Sequence, residues 1–80
     1  MCETTFTKKQ GQYLAFIHLY TKINGRPPAE AEMQRYFVVS PPSVHSMIVE
    51  LEKKMLISRE VGRARTVKVI IKPELLPMLE

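Results

Sequence analysis

The side chains in this sequence best suited to chemistry are arginines around one glycine and a run of small polar residues upstream. Arg59, Arg63 and Arg65 flank Gly62. A guanidinium is always charged, and its planar fork of donors fits a phosphate or a guanine edge. Upstream stand Ser40, Pro42, Ser43, His45, Ser46, Val49 and Lys53. At about 100° per residue, Pro42, Ser46, Val49 and Lys53 share one helix face, with Ser43 and His45 at its flanks. Serine bonds several base edges, and valine meets a thymine methyl. Glu50 lies on the same side, where phosphate would repel it. Lys8, Lys9, Arg26 and Arg35 complete the set as candidate phosphate contacts. This is the chemistry of recognition, not of bond breaking.

Bond-breaking chemistry has little material here. All eight acids are Glu, so Asp-dependent triads and Asp-rich cation loops are excluded. Cys2, His18 and His45 are far apart in sequence, whereas a structural zinc site takes four ligands. There is no Ser–His–acid spacing and no glycine-rich phosphate loop. The chain is therefore expected not to be an enzyme, and to need no cofactor, metal or small-molecule substrate. No apolar run reaches the roughly 18 residues of a membrane span, and the N-terminus lacks the apolar stretch of a signal peptide. A single cysteine allows no intrachain disulfide, which fits a reducing compartment. The expected location is the cytoplasm, in association with the nucleoid.

The 80 residues suffice for one domain, and 45% hydrophobic content supports a packed core. The net charge of +4 is unevenly spread. Lys53, Lys54, Arg59, Arg63, Arg65, Lys68 and Lys72 face Glu60 alone between residues 53 and 72. Glu30, Glu32, Glu50 and Glu52 make the preceding stretch acidic. The basic block points to a polyanion, DNA first.

The elements that must position these residues follow from capping and periodicity. Thr7-Lys8-Lys9-Gln10 has the form of a capping box, and Tyr13, Leu14, Ile17 and Tyr20 follow at helical spacing, widened by Phe16 and Leu19. Gly11 weakens that helix, which stops at Asn24-Gly25. A second helix is expected over about 29–37, with Pro28 at its start and Glu30 and Glu32 in its first turn. A third is expected over 41–54, with Ser40 as N-cap and Pro41 at its first position. Its N-terminus would offer free N–H groups to phosphate. Leu56–Arg59 and Thr66–Ile70 read as strands, joined by a hairpin tip at 60–65. The methionines and aromatics are expected in the core. Residues 1–6 read as a flexible N-terminus, 7–72 as the domain and 73–80 as a short apolar tail.

Helix, helix, three-residue turn, capped helix and basic hairpin make a winged helix-turn-helix, an α+β fold that is mainly α. Its third helix is the size of element the major groove admits. Several pieces together resemble the N-terminal DNA-binding domain of LexA-type repressors over about residues 5–71. They are Thr7–Gln10 through Ile17, the Asn24-Gly25-Arg26-Pro27-Pro28 turn, Ser40–His45, Leu51–Ile57 and Gly62–Arg65. The resemblance implies that helix 41–54 is the recognition helix and that 60–65 is the wing. It implies sequence-specific binding to double-stranded DNA by a repressor-like regulator, with homodimerisation as a further expectation. Ala29 stands where the family usually has a capping Thr. Val38 or Val39, and Met55, stand where it usually has Gly, so both junctions are expected to differ in geometry. LexA-type repressors also continue into a self-cleaving peptidase and dimerisation domain, which these 80 residues do not contain. The competing reading is a winged-helix protein–protein module, favoured by the four glutamates beside the third helix.

Overall fold

The computed structural model describes residues 6–79 apart from Ala64. Cys2 and most of the segment expected to be flexible lie outside the described residues. Phe6, assigned to that segment, is half-buried and packs against the core.

Helix α1 spans Lys8–Asn24. Its capping box is complete. Thr7 Oγ1 accepts from the Gln10 N–H at 3.1 Å, and Gln10 Oε1 accepts from the Thr7 N–H at 2.9 Å. The helix ends at Gly25, whose φ of 73° needs the freedom of glycine. Tyr13, Leu14, Ala15, Phe16 and Ile17 are buried in succession, so α1 is covered on several sides rather than along one stripe. Leu19, expected to widen the apolar arc, stays 36% exposed. Gly11 is more than a weak point. A Cβ there would lie 2.8 Å from the Phe6 ring and 3.0 Å from Pro77, so the missing side chain is what lets both lie on α1.

Helix α2 spans Glu30–Phe37, and α3 spans Pro41–Lys53. Pro28 does not open α2; Ala29 is its N-cap and Pro28 is buried ahead of it. Ala29 has no side-chain oxygen, but Glu32 still reaches back to accept from the Ala29 N–H at 2.7 Å. Half a capping box thus survives the loss of the hydroxyl. Stacking fixes α2 on α1. Tyr13 and Phe37 lie nearly parallel with centroids 4.1 Å apart, and Phe16 and Tyr36 are 4.7 Å apart. Met33, Val44, Ile48 and Leu51 carry α2 and α3 into the same core. The rule that methionines and aromatics are buried fails for Tyr36, Met55 and Met78, all of which are exposed.

The two junctions expected to depart from left-handed geometry adopt it. Val38 has φ 54° and Met55 φ 61°. Val39 N–H donates to Gln34 C=O at 3.2 Å, and Leu56 N–H to Leu51 C=O at 3.0 Å. These are the long hydrogen bonds of Schellman caps, and the residue after each cap, Val39 or Leu56, turns into the core. Burial of that following residue overrides the local preference of Val38 and Met55. Val38 itself is 86% exposed, so its side chain gains little in return. Val38→Gly should relieve the left-handed strain for a net gain of about 0.5–1 kcal/mol, raising Tm by about 4 °C. Thermal unfolding followed by circular dichroism checks this; a lower Tm would mean that Val38 makes compensating contacts.

The hairpin strands are shorter than the sequence suggests. Strand β1 is Ile57–Ser58 and β2 is Lys68–Val69, antiparallel with Ile57 opposite Val69 and Ser58 opposite Lys68. The Thr66 hydroxyl and one backbone turn, not a longer ladder, close the loop between them. Glu60 N–H donates to Thr66 Oγ1 at 2.9 Å, and Arg63 N–H donates to Glu60 C=O at 3.2 Å across a turn holding Gly62 at φ 83°. After a 3₁₀ turn at Pro73–Leu75, the chain runs back along α1. There Gln12 Nε2 donates to Met78 C=O at 2.9 Å. Leu76 and Leu79 pack against the core, so the apolar tail is largely used within the domain.

Candidate nucleic-acid interface

Helix α3 divides cleanly between a buried and an exposed side. Val44, Ile48 and Leu51 are at most 1% exposed. Ser40, Pro42, Ser43, His45, Ser46, Glu50 and Lys53 are exposed, and Val49 is half-buried. The 3.6-residue period therefore places every residue singled out on this helix away from the core. Two features of its N-terminus differ from expectation. Ser40 occupies the N-cap, but its hydroxyl makes no capping bond; it pairs with the Ser43 hydroxyl at 2.9 Å. Pro41 and Pro42 remove two of the first-turn donors, and Ser43 N–H is already donated to Ser40 C=O at 3.1 Å. This helix start presents hydroxyls and proline rings, not a nest of free N–H groups.

The acids near α3 are not a free acidic face. Glu50 Oε1 accepts from Gln10 Nε2 at 3.2 Å, and Lys54 Nζ donates to Gln10 Oε1 at 2.9 Å. Gln10, buried and polar, thereby ties the start of α1 to the end of α3. Glu52 holds Arg59 Nε at 3.2 Å, and Glu30 lies 3.6 Å from His45 Nδ1. Glu32 takes Arg65, Arg35 and the Ala29 N–H together. The Ala29 N–H first, then the arginines, hold its carboxyl below the usual glutamate range. Two of the four glutamates, Glu32 and Glu52, are thus held by arginines, which weakens the acidic face that favoured a protein-binding module.

The three hairpin arginines are not equivalent. The Arg63 side chain is 74% exposed and, among the described residues, pairs with Glu60 at 3.4 Å on the surface. Arg59 is 19% exposed and turned against Glu52. Arg65 is directed back to the body, with Nη1 at 2.9 Å from Glu32 Oε1 and Nη2 at 3.2 Å from Oε2. Its guanidinium pKa is raised, chiefly by the Tyr20 hydroxyl and then by Glu32. Lys8, Lys9, Arg26 and Arg35 are all exposed, Arg35 while paired with Glu32 at 3.3 Å. Glu32 and Thr66 are the residues that sequence reasoning missed. Glu32 read as an ordinary first-turn acid and Thr66 as an ordinary strand residue; only the fold brings their partners to them. No helix among the described residues is long and apolar enough to cross a membrane.

A helix pair joined by a tight turn, an exposed polar face on the second of them, and a following hairpin with an outward arginine define a winged helix-turn-helix of the nucleic-acid-binding kind. The chain matches the family described as "LexA DNA binding domain" over residues 3–66, and it belongs to that family. It is 38% identical over 63 residues to a LexA repressor of Thermotoga neapolitana, covering 79% of this chain and 32% of that protein. It is 31% identical over 68 residues to a LexA repressor of Thermosipho africanus, covering 85% of this chain and 34% of that protein. The chain thus spans about a third of the length of these relatives.

Proposed function

We infer that this chain binds double-stranded DNA in a sequence-specific way, as the DNA-reading part of a repressor-like transcriptional regulator. The observation that carries this is the outer face of α3. Pro42, Ser43, Ser46, Val49 and Lys53 are presented on a helix whose other side is buried, in a domain of the LexA DNA-binding family. Helix α3 enters the major groove, with Ser40, Ser43 and Ser46 bonding base edges or phosphate and Val49 meeting a methyl group. His45 lies at the edge of this contact. Lys53 reaches the backbone at the far end of the helix, and Lys8, Lys9, Arg26 and Arg35 add phosphate contacts around it. Arg63 is the wing's contact with backbone or minor groove, and Arg59 supports it from behind. The domain does no chemistry and takes no cofactor. It acts in the cytoplasm on the nucleoid, and as a homodimer, since two half-sites multiply the few contacts of one module. With Leu76 and Leu79 turned inward, exposed Leu75 and Met78 are what the tail still offers to a second copy.

The test is a fluorescence-anisotropy titration of random-sequence duplex across a salt series, with Arg63→Ala beside the wild type. Affinity should fall steeply with salt, and the variant's log–log slope should be shallower by about 0.9, the value of one phosphate contact. Absence of binding at low salt would defeat the reading. An unchanged slope would take Arg63 off the phosphate.

A further inference from the structure

The hairpin carries one arginine whose side chain is spent on the protein itself. Arg65 sits at φ 61°, a backbone conformation that L residues other than glycine seldom hold. That strain persists only where the surroundings enforce it. Here the bend returns the side chain toward the helices. Its two terminal nitrogens face both oxygens of Glu32 at 2.9 and 3.2 Å, and Nη1 lies 3.5 Å from Pro27 C=O. One guanidinium thus joins the α1–α2 loop to the first turn of α2. The Glu32 side chain is only 15% exposed, and a two-point Arg–carboxylate contact fixes direction as well as distance. The β ladder itself has only two residue pairs, so it cannot orient the wing alone.

We propose that Glu32 and Arg65 form a latch that sets the position of the wing against α3, so that Arg65 is a positioning residue for DNA binding and Arg63, two residues away, is the contact it aims. The proposal rests on the DNA-binding reading above. It assigns opposite signs to a change at Glu32, which lies on α2 and not on the wing. If Arg65 were a phosphate contact merely masked by Glu32, removing that acid would release a cation and tighten binding. If the pair is a latch, removing the acid loosens the wing and weakens binding, although the protein has become more positive.

The experiment compares Glu32→Gln, Arg65→Met and the double variant with the wild type in duplex titrations across a salt series. Gln keeps an oxygen for the Ala29 N–H, so α2 retains its start, and thermal unfolding confirms that each protein is folded at the assay temperature. The latch predicts that Glu32→Gln binds about five- to tenfold more weakly, with a salt slope shallower by up to about 0.9 as the Arg63 contact is lost. It also predicts that the double variant is no weaker than the weaker single one. Tighter binding by Glu32→Gln with a steeper slope would overturn the latch; if Arg65→Met in the same background reverses the gain, Arg65 is a contact, and if not, the gain belongs to Arg35, which the same change frees. Unchanged affinity in Glu32→Gln would overturn it too. A wild type that binds no duplex would instead defeat the DNA-binding reading, a result distinct from either.

Discussion

Leu51→Ala should destabilise the domain by about 2–5 kcal/mol, the range for removing a buried leucine side chain where the surroundings relax only in part. Leu51 is 0% exposed, and it is the last core residue of α3. Its carbonyl also accepts the Leu56 N–H that closes the cap. An 80-residue domain has roughly 4–12 kcal/mol in total, at about 0.05–0.15 kcal/mol per residue, so this one change removes a large share. The expected drop in Tm is about 10–30 °C. The control is Leu51→Met, which conserves volume and should cost less than about 1.5 kcal/mol. Urea denaturation of the three proteins gives the differences directly. A loss below about 1 kcal/mol for the alanine variant would mean that α3 is not anchored through Leu51, and the division of that helix into buried and exposed sides would need revision.

Ser46→Glu should leave the fold intact and reduce DNA affinity by about 100-fold or more. Ser46 is exposed on the outer face of α3, between Pro42 and Val49. Glutamate is a good helix former, and its repulsion with Glu50 one turn on costs only about 0.2–0.5 kcal/mol. Against a polyanion the new carboxylate meets like charge, and that penalty is several kcal/mol. Anisotropy titration on a duplex, beside a thermal melt of the free protein, separates the two effects. Affinity unchanged within about threefold would show that the outer face of α3 does not meet DNA. The wing or the N-terminus of α1 would then have to carry the interface.

The legible parts of this molecule were those set by neighbours in sequence. Thr7 and Gln10 are three residues apart and form the box their types require. Gly25 ends α1 because only a left-handed residue closes that helix there. Val44, Ile48 and Leu51 recur with the helical period, so the exposed face of α3 could be read before any coordinate. Length, charge distribution and the order of the elements led to the winged helix-turn-helix by the same route.

What tertiary structure decided lies where local preference and distant contacts disagree. Val38 and Met55 resist positive φ by themselves, and sequence reasoning expected altered junctions. The burial of Val39 and Leu56 outweighs that resistance, because each left-handed residue directs its successor into the core. Gly11 is a weak point for α1 by propensity alone, yet Phe6 and Pro77 rest where its side chain would be. Charge counting places Arg59, Arg63 and Arg65 in one basic block and four glutamates in an acidic patch beside the third helix. The fold pairs Arg65 with Glu32 and Arg59 with Glu52, leaving Arg63 the most exposed of the three. Those pairs join residues up to 33 positions apart. A short-range reading of periodicity and capping contains no term for such distances, which exist only once three helices and a hairpin have packed.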